Sequence, residues 1–370
     1  MDADLLIAGA GFSGAVAARQ LAEAGFRVQI VESRGHIAGN CHTERDPETG
    51  ILIHRYGPHI FNTNEEQVWN WIRQFGEFGL YINRVKACTD RGIFSFPLNL
   101  HTLNQFFGKQ MTPSEAKAFV GALGDSSIQT PANFEEQALA TVGPDLYEAF
   151  FKGYTLKQWG VDPTELPASL LKRLPIRFNY DDCFYEKTCM GIPKEGYTRI
   201  VERILDHPKI TVALNTPFEH RMLDAVKHGI FTGPIDAYFG YCEGRLGYRT
   251  VYWERTDGTG DAQGCAVMNY PTLSVPFTRI HEHKHFAPWE THQRTVTFTE
   301  YSKETEEGDE PFYPKRLAAD KRILTRYLAR ARDLPNVTFL GRLGTYRYLD
   351  MDVTILEALK ASERLIPRLR

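Results

Sequence analysis

Several groups of residues in this chain have the types and spacing of a chemical site. The first lies near the N-terminus, where Gly9-Ala10-Gly11-Phe12-Ser13-Gly14 follows the apolar run Asp4-Leu5-Leu6-Ile7-Ala8, with Glu32 placed 23 positions after Gly9. Gly9 permits a tight bend, Gly11 lets the backbone approach a pyrophosphate, and Gly14 lets the next helix pack close to the strand. The N-terminus of that helix offers the positive end of its dipole to the anion. Glu32 can accept from both ribose hydroxyls, which disfavours a 2′-phosphate. The elements that must position these groups are legible too. An Ala-rich stretch from Ala15 to Ala24, closed by Gly25, predicts a helix, and Phe26 to Val31 a second strand, completing a βαβ unit.

NAD and FAD share this fingerprint, so the residues after the acid decide between them. Arg34 and the second glycine site Gly39-Asn40 form an extra anion-contacting stretch of the kind used by flavoproteins of the amine-oxidase type, which favours FAD. Further along, Tyr56-Gly57-Pro58-His59-Ile60-Phe61-Asn62-Thr63 reads either as a loop with a satisfied histidine or as backbone laid against a flavin ring. Phe150 to Gly160 packs Phe150, Phe151, Tyr154, Trp159 and the lysines Lys152 and Lys157 into a short helical stretch. It offers faces for a base and cations for a phosphate, although an aromatic stripe also suits a plain core. Arg173 and Arg177, after a proline-punctuated loop, suit a lid over a diphosphate or a solvated pair. Arg279 reads as a buried cation. His281-Glu282-His283-Lys284-His285 is not read as a metal site, because no further ligand is marked and the helical H-E-x-x-H pattern is missing. In Gly341 to Asp352 a strand end and glycines lead into a helix start that could face a flavin.

Composition limits what these groups can serve. The chain has 370 residues, enough for two or three domains, and 43 Lys+Arg stand against 46 Asp+Glu for a formal charge of −3. A polyanion or polybasic-membrane partner needs a large positive field, so neither nucleic acid nor a membrane is expected. No apolar run approaches the roughly 18 residues of a membrane span. The six cysteines show no C-x-x-C spacing, so reduced thiols and a cytoplasmic location are expected. The middle of the chain, from about Asn99 to Lys172, has apolar residues at helical spacing, with helix-start chemistry at Thr112-Pro113-Ser114, Gly124-Asp125-Ser126 and Asp162-Pro163-Thr164. From about Phe184 to Tyr301 short β-rich runs take over, among them Ala237 to Phe239, Thr250 to Trp253, Ala266 to Met268 and Thr295 to Phe298. Turn clusters such as Asp257 to Gly260 separate them. A last strand, Asn336 to Gly341, and a helix from Met351 to Ser362 return to the first texture, which makes the nucleotide-binding domain discontinuous.

The motifs taken together resemble bacterial UDP-galactopyranose mutases over essentially the whole chain. They comprise the glycine turn, Tyr56 to Phe61, Gly153 to Gly160, Arg173 to Asp182, Gly191 to Thr198, Phe277 to Arg279 and Gly341 to Asp352. The resemblance implies an α/β fold: a Rossmann-like FAD-binding domain with an inserted helical domain and an inserted antiparallel β-sheet domain. Its segments would be 1–80, 190–222 and 318–370 for FAD, 97–178 for the helices with a mobile loop, and 81–96, 179–189 and 223–317 for the sheet. It implies an isomerase, a non-redox flavoenzyme on reduced FAD, interconverting the pyranose and furanose forms of a nucleotide-diphosphate sugar through a covalent flavin N5–sugar adduct. Arg173 and Arg279 would hold the diphosphate, with Asp350 near substrate and flavin. Phe150, Phe151, Tyr154 and Asn269 would line the base end, Trp159 would guard the sugar, and Tyr313 and Tyr348 would donate to phosphate oxygens. Gly9, Gly11, Phe12, Ser13, Gly14, Glu32, Arg34, Gly39, Asn40, His59, Ile60, Gly341, Arg342, Tyr348, Asp350 and Met351 would hold the cofactor. An external electron donor and a homodimer are implied as partners. Two positions depart from the family pattern. Asn62 stands where a histidine is usual, and in Cys183-Phe184-Tyr185 the phenol expected at 184 is either missing or moved to Tyr185. Both bear on the substrate, leaving UDP-galactose, UDP-N-acetylgalactosamine and dTDP-fucose open. An oxidoreductase of the amine-oxidase type is the competing class.

Overall fold

The computed structural model describes residues 3–173 and 176–370, the side chains of 172 and 173 apart. Strand β1 (Leu5–Ala8) is entirely buried, helix α1 (Phe12–Glu23) follows the glycine turn, and β2 (Val28–Val31) pairs in parallel with β1. The small side chains Ala15, Ala17 and Ala18 let α1 lie close to the sheet, where they are fully buried. The parallel sheet has five strands in the order Ile210–Ala213, β2, β1, His228–Phe231 and Val337–Phe339. Its last strand leads to the C-terminal helix Met351–Leu369, which packs on α1 and extends beyond the expected end at Ser362.

The strands of this sheet come from both ends of the chain. One expected boundary moves. His228–Phe231, expected within the 223–317 segment, sits between β1 and the final strand, paired in parallel with both. A continuous run of buried residues at these positions is what a two-sided parallel sheet requires.

The second sheet has seven strands in the order Tyr313–Pro314, Tyr248–Thr259, Arg294–Glu304, Arg279–Glu282, Val267–Asn269, Val85–Thr89 and Gly92–Phe96. All its neighbours are antiparallel except Val267–Asn269 against Val85–Thr89. Two local expectations fail here. Asp257 to Thr259 continue the long strand instead of turning, because the facing strand supplies partners down to Thr259–Arg294. Ala237 and Tyr238 belong to a helical turn, Ile235–Tyr238, whose Asp236 carboxylate accepts from the Leu246 amide.

The helical segment holds Leu100–Phe107, Pro113–Leu123, Phe134–Leu146, a π-helical turn Tyr147–Lys152 and Gly153–Trp159. Thr112 caps its helix through a reciprocal pair with Glu115, as its spacing predicts. Gly124 to Ser126 ends a helix instead of starting one; the Asp125 carboxylate bonds Ser127, and the next helix is capped by Asn133. All six cysteines are free, and no described helix is long and apolar enough to cross a membrane.

Candidate functional site

The turn after β1 opens into a cleft of about 590 Å³ lined by Gly9, Gly11, Phe12, Ser13, Glu32, Arg34, Gly39, Asn40, His59, Gly341, Arg342 and Met351, all expected for the cofactor. The three glycines have different reasons to be glycine. Gly9 has φ +106°, and a Cβ there would meet Thr232 Oγ1 at 2.1 Å. At Gly14 a Cβ would lie 1.9 Å from Gly9 O. Gly11 is otherwise: its φ is −76°, open to any residue, and a Cβ would meet no protein atom closer than Gly39 Cα at 3.8 Å. The folded chain does not need glycine at 11, so the reason lies with what enters the cleft. That is the cradle a pyrophosphate requires at a helix N-terminus, and the residues fit FAD.

Glu32 is buried at the cleft wall, its Oε2 accepting from Ala10 N at 2.8 Å and its Oε1 from Arg34 N at 3.0 Å. Arg34 donates through Nη2 to Asn40 Oδ1 at 2.9 Å and to Glu310 Oε2 at 2.7 Å, while its guanidinium lies over the Tyr56 ring. Its Nη1 is buried without a partner, a donor left for a ligand oxygen. At the far end Pro217, Phe218, His220 and Tyr238 complete the walls. The motif reading missed these, because they come from the segment after Ala213 and carry no spacing signal of their own.

A second, mostly apolar cavity adjoins the cleft through Pro58-His59-Ile60. His59 faces the cleft, and Pro58 and Ile60 face the cavity. Burial lowers the His59 pKa to about 4, and its Nδ1 pairs with Gly57 O at 2.8 Å, so the ring is neutral near pH 7. Phe150, Phe151, Tyr154, Tyr185, Asn269 and Arg279, all expected at the substrate, line this cavity. The π-helical turn brings Phe150 and Phe151 to the same wall, where Phe150 lies 5.5 Å from Phe94 and 5.4 Å from Phe106 between ring centroids. Among the lining residues Asn83 was missed; its Oδ1 is buried and has no partner.

Arg279 stands on an inner strand of the second sheet, directly opposite Glu300 in register. Its Nε donates to Glu300 Oε1 at 2.7 Å, and Glu300 is fully buried, also accepting from Thr278 and Trp253. Burial is the largest single influence and opposes the arginine's charge, but Glu300, Tyr154 and Tyr313 together outweigh it and raise the pKa well above its ordinary value. Glu300 went unread in the sequence, though an acid within the apolar alternation of Val296 and Phe298 is a signal that such a partner exists. Tyr313 and Tyr348 stack at 5.6 Å with an interplanar angle of 17°, with Arg342 over both rings. Burial is the main cause raising the Tyr185 phenol, with Tyr348, Asp350 and Arg279 as its charged or ionisable neighbours. The phenol displaced from 184 to 185 therefore still faces this group.

Other expected residues stand apart. Arg173 ends the 3-10 turn Ala168–Arg173, and its side chain lies outside the described residues. Arg177 lines neither the cleft nor the cavity: buried, it donates through Nε to Glu186 at 3.1 Å and through Nη1 to Cys183 O, tying down its own loop. Lys157 is likewise not a phosphate cation. Its ammonium donates to the carbonyls of Tyr270, Thr272, Val275 and Phe277. Burial pulls its pKa down to about 8. Lys152 is half-buried and pairs with Glu148. Trp159 is half-buried at the C-terminus of its helix, and Asn62 on strand Phe61–Thr63 donates to Ile60 O at 3.0 Å; neither lines the cavity. Asp350 is exposed at the N-cap of the last helix. Within His281 to His285 the strand ends at Glu282 and His283–Phe286 is a 3-10 turn.

Comparison with known proteins adds the family. The model of a family described as UDP-galactopyranose mutase matches residues 149–348, and one described as an NAD(P)-binding Rossmann-like domain matches residues 7–75. The chain is 53% identical to a probable UDP-galactopyranose mutase of Klebsiella pneumoniae over 98% of its length and 94% of that protein's. It is 46% identical to a dTDP-fucopyranose mutase of Escherichia coli over 98% of both. Among solved structures, a reduced UDP-galactopyranose mutase superposes with a TM-score of 0.78 at 17% identity, covering 99% of this chain and 96% of the other. A putrescine oxidase reaches 0.58 at 12% identity, over 99% of each.

Proposed function

The chain belongs to the UDP-galactopyranose mutase family, an FAD-dependent isomerase fold, and on that premise we propose that it interconverts UDP-galactopyranose and UDP-galactofuranose. The observation that carries the reading is the cavity lined by Phe150, Phe151, Tyr154 and Arg279, whose Nε is held by the buried Glu300, beside the cofactor cleft. A base needs apolar and aromatic walls, and a diphosphate needs a cation.

Reduced FAD supplies the nucleophile toward the anomeric carbon; the chain's residues do the rest. Arg279 meets the diphosphate, whose charge grows as it departs, and the phenols of Tyr185, Tyr313 and Tyr348 donate to its oxygens. Groups that stabilise the leaving diphosphate also retain it, so recapture after ring reclosure is effectively intramolecular. Arg173, from the neighbouring loop, would add a second cation. Neutral His59 and the Pro58–Ile60 segment separate cleft from cavity and orient the sugar between them. Asp350, the N-cap of the last helix, would lie at the flavin side. The six free thiols fit a reducing cytoplasm, and an external reductant together with a homodimer completes the reading.

A second substrate reading rests on Asn62, on Tyr185 and on the 46% identity to a dTDP-fucopyranose mutase. The test is reduced protein incubated with UDP-galactopyranose, UDP-N-acetylgalactosamine and dTDP-fucopyranose, products separated by chromatography. Fastest turnover of UDP-galactopyranose without net electron consumption is expected. Preference for dTDP-fucopyranose moves the assignment to that sugar, and stoichiometric oxygen uptake with each turnover overturns the mutase reading.

A further inference from the structure

The Lys157 ammonium stands at the focus of one loop. Residues 270–278 connect the strand ending at Asn269 to the strand beginning at Arg279, so the two feet of the loop are a base-end residue and the diphosphate cation. Four of the loop's carbonyls turn inward on Nζ: Tyr270, Thr272 and Phe277 at 2.7 Å each, and Val275 at 3.1 Å. Three N–H donors serve four acceptors, so none is left to reach a phosphate. At the neck of the loop the Tyr270 amide donates to Thr278 O at 2.8 Å.

The helix carrying Lys157 also carries Tyr154, and the two meet the loop together. Gly153 is where they touch, since a Cβ there would lie 2.1 Å from Pro271 O. Pro271 itself lines the cavity beside Tyr154 and Asn269. Without a cation, four carbonyl oxygens would converge negative end to negative end in a half-buried space, and the loop would open to separate them. An ammonium suits that focus because it is a compact point charge with rotatable donors; the planar fork of arginine does not.

Resting on the mutase reading above, we infer that Lys157 is a positioning residue. Its ammonium gathers the 270–278 loop against the Gly153–Trp159 helix and so fixes Tyr154 against Asn269 and Arg279, which strand pairing already sets opposite each other. The nucleotide end of the site is thereby preformed instead of assembled on binding. Losing the ammonium should weaken binding of the nucleoside diphosphate in ground state and transition state alike, a KM effect with little change in kcat.

The experiment uses flavin-loaded protein with Lys157→Met and Lys157→Ala. For K157M, KM for UDP-galactopyranose should rise about tenfold or more while kcat stays within about threefold. Flavin content should not change. In K157A, ammonium chloride should recover part of the lost affinity, and sodium chloride at equal ionic strength should not. An unchanged KM, a loss confined to kcat, or a KM rise that ammonium leaves untouched each overturns the inference. Should K157M fail to fold, P271G/P276G loosens the same loop with the lysine in place, and an unchanged KM there is equally fatal. Calorimetry with UDP alone separates the two levels of the argument. If wild type turns over no nucleotide sugar, the mutase reading falls, and K157M binding UDP as tightly as wild type overturns the positioning role on its own.

Discussion

Glu300 grips Arg279 by the inner edge of its guanidinium: the 2.7 Å bond runs from Nε, and the carboxylate is wholly buried beneath it. That geometry aims the outer edge of the guanidinium at the cavity and keeps it cationic in an apolar setting. It also separates two roles that mutation can distinguish, the group that meets the substrate and the group that holds it in place.

Removing the held group should be decisive. Arg279→Ala is expected to lower turnover by about a hundredfold or more, as for loss of one charge-stabilising donor. The flavin absorbance spectrum should be retained, because Arg279 lies outside the cofactor cleft. Arg173→Ala should lower turnover in the same way. Steady-state assay beside flavin quantitation checks both.

Removing the holder should cost less activity and more stability. Glu300→Gln keeps the volume and one acceptor but loses the charge, so kcat/KM is expected to fall about tenfold to a hundredfold. Glu300→Ala also leaves the half-buried guanidinium without its carboxylate and should destabilise the protein, read as a lower midpoint in urea unfolding.

The glycines of the turn predict opposite failures. Gly11→Ala meets no steric obstacle in the folded chain, so normal folding with markedly reduced flavin occupancy is expected. Gly14→Ala pushes a methyl to within 1.9 Å of a backbone oxygen, so misfolding or low soluble yield is expected whatever the flavin supply. Equal flavin content in wild type and G11A would contradict the assignment of Gly11 to the pyrophosphate.

Away from the site, Asp46 follows the strand Thr43–Arg45, which pairs antiparallel with Leu52–His54, and links this hairpin to the second sheet. Its Oδ2 accepts from Arg255 Nη1 at 2.6 Å, and that bond, reinforced by Thr49 against the cost of burial, lowers its pKa to about 2. An unfolded aspartate titrates near 3.9, so the folded state binds fewer protons and the stabilisation is full above about pH 4. It is lost as pH falls through about 2. Asp46→Asn should therefore destabilise by about 2 kcal/mol at neutral pH, with the gap to wild type narrowing below pH 4. Urea unfolding at pH 6 and pH 3 reads the difference; a constant gap would contradict it.

Much of the cofactor cleft was legible in the sequence because its signals are local. Gly9 to Gly14, Glu32, Arg34 and Gly39 lie within 31 consecutive residues, and each acts through the backbone conformation or position of its own turn. Thr112 and Glu115 announce their cap for the same reason. The base end was legible in part, since Phe150, Phe151 and Tyr154 are neighbours in sequence and the π-helical turn keeps them together.

What spacing along the chain could not disclose depends on which strands become neighbours. Arg279 and Glu300 are 21 residues apart and meet only because antiparallel pairing sets them opposite each other. Lys157 looks like a surface cation until the loop 113 to 120 residues later folds its carbonyls around it. Arg177, read as half of a lid, is instead spent on its own loop. The βαβ unit, the dinucleotide cleft and the aromatic wall rest on short-range geometry and so can be read from residue order. Which charges are free to meet a ligand is settled on folding, because a charge's role is set by the partners brought to it.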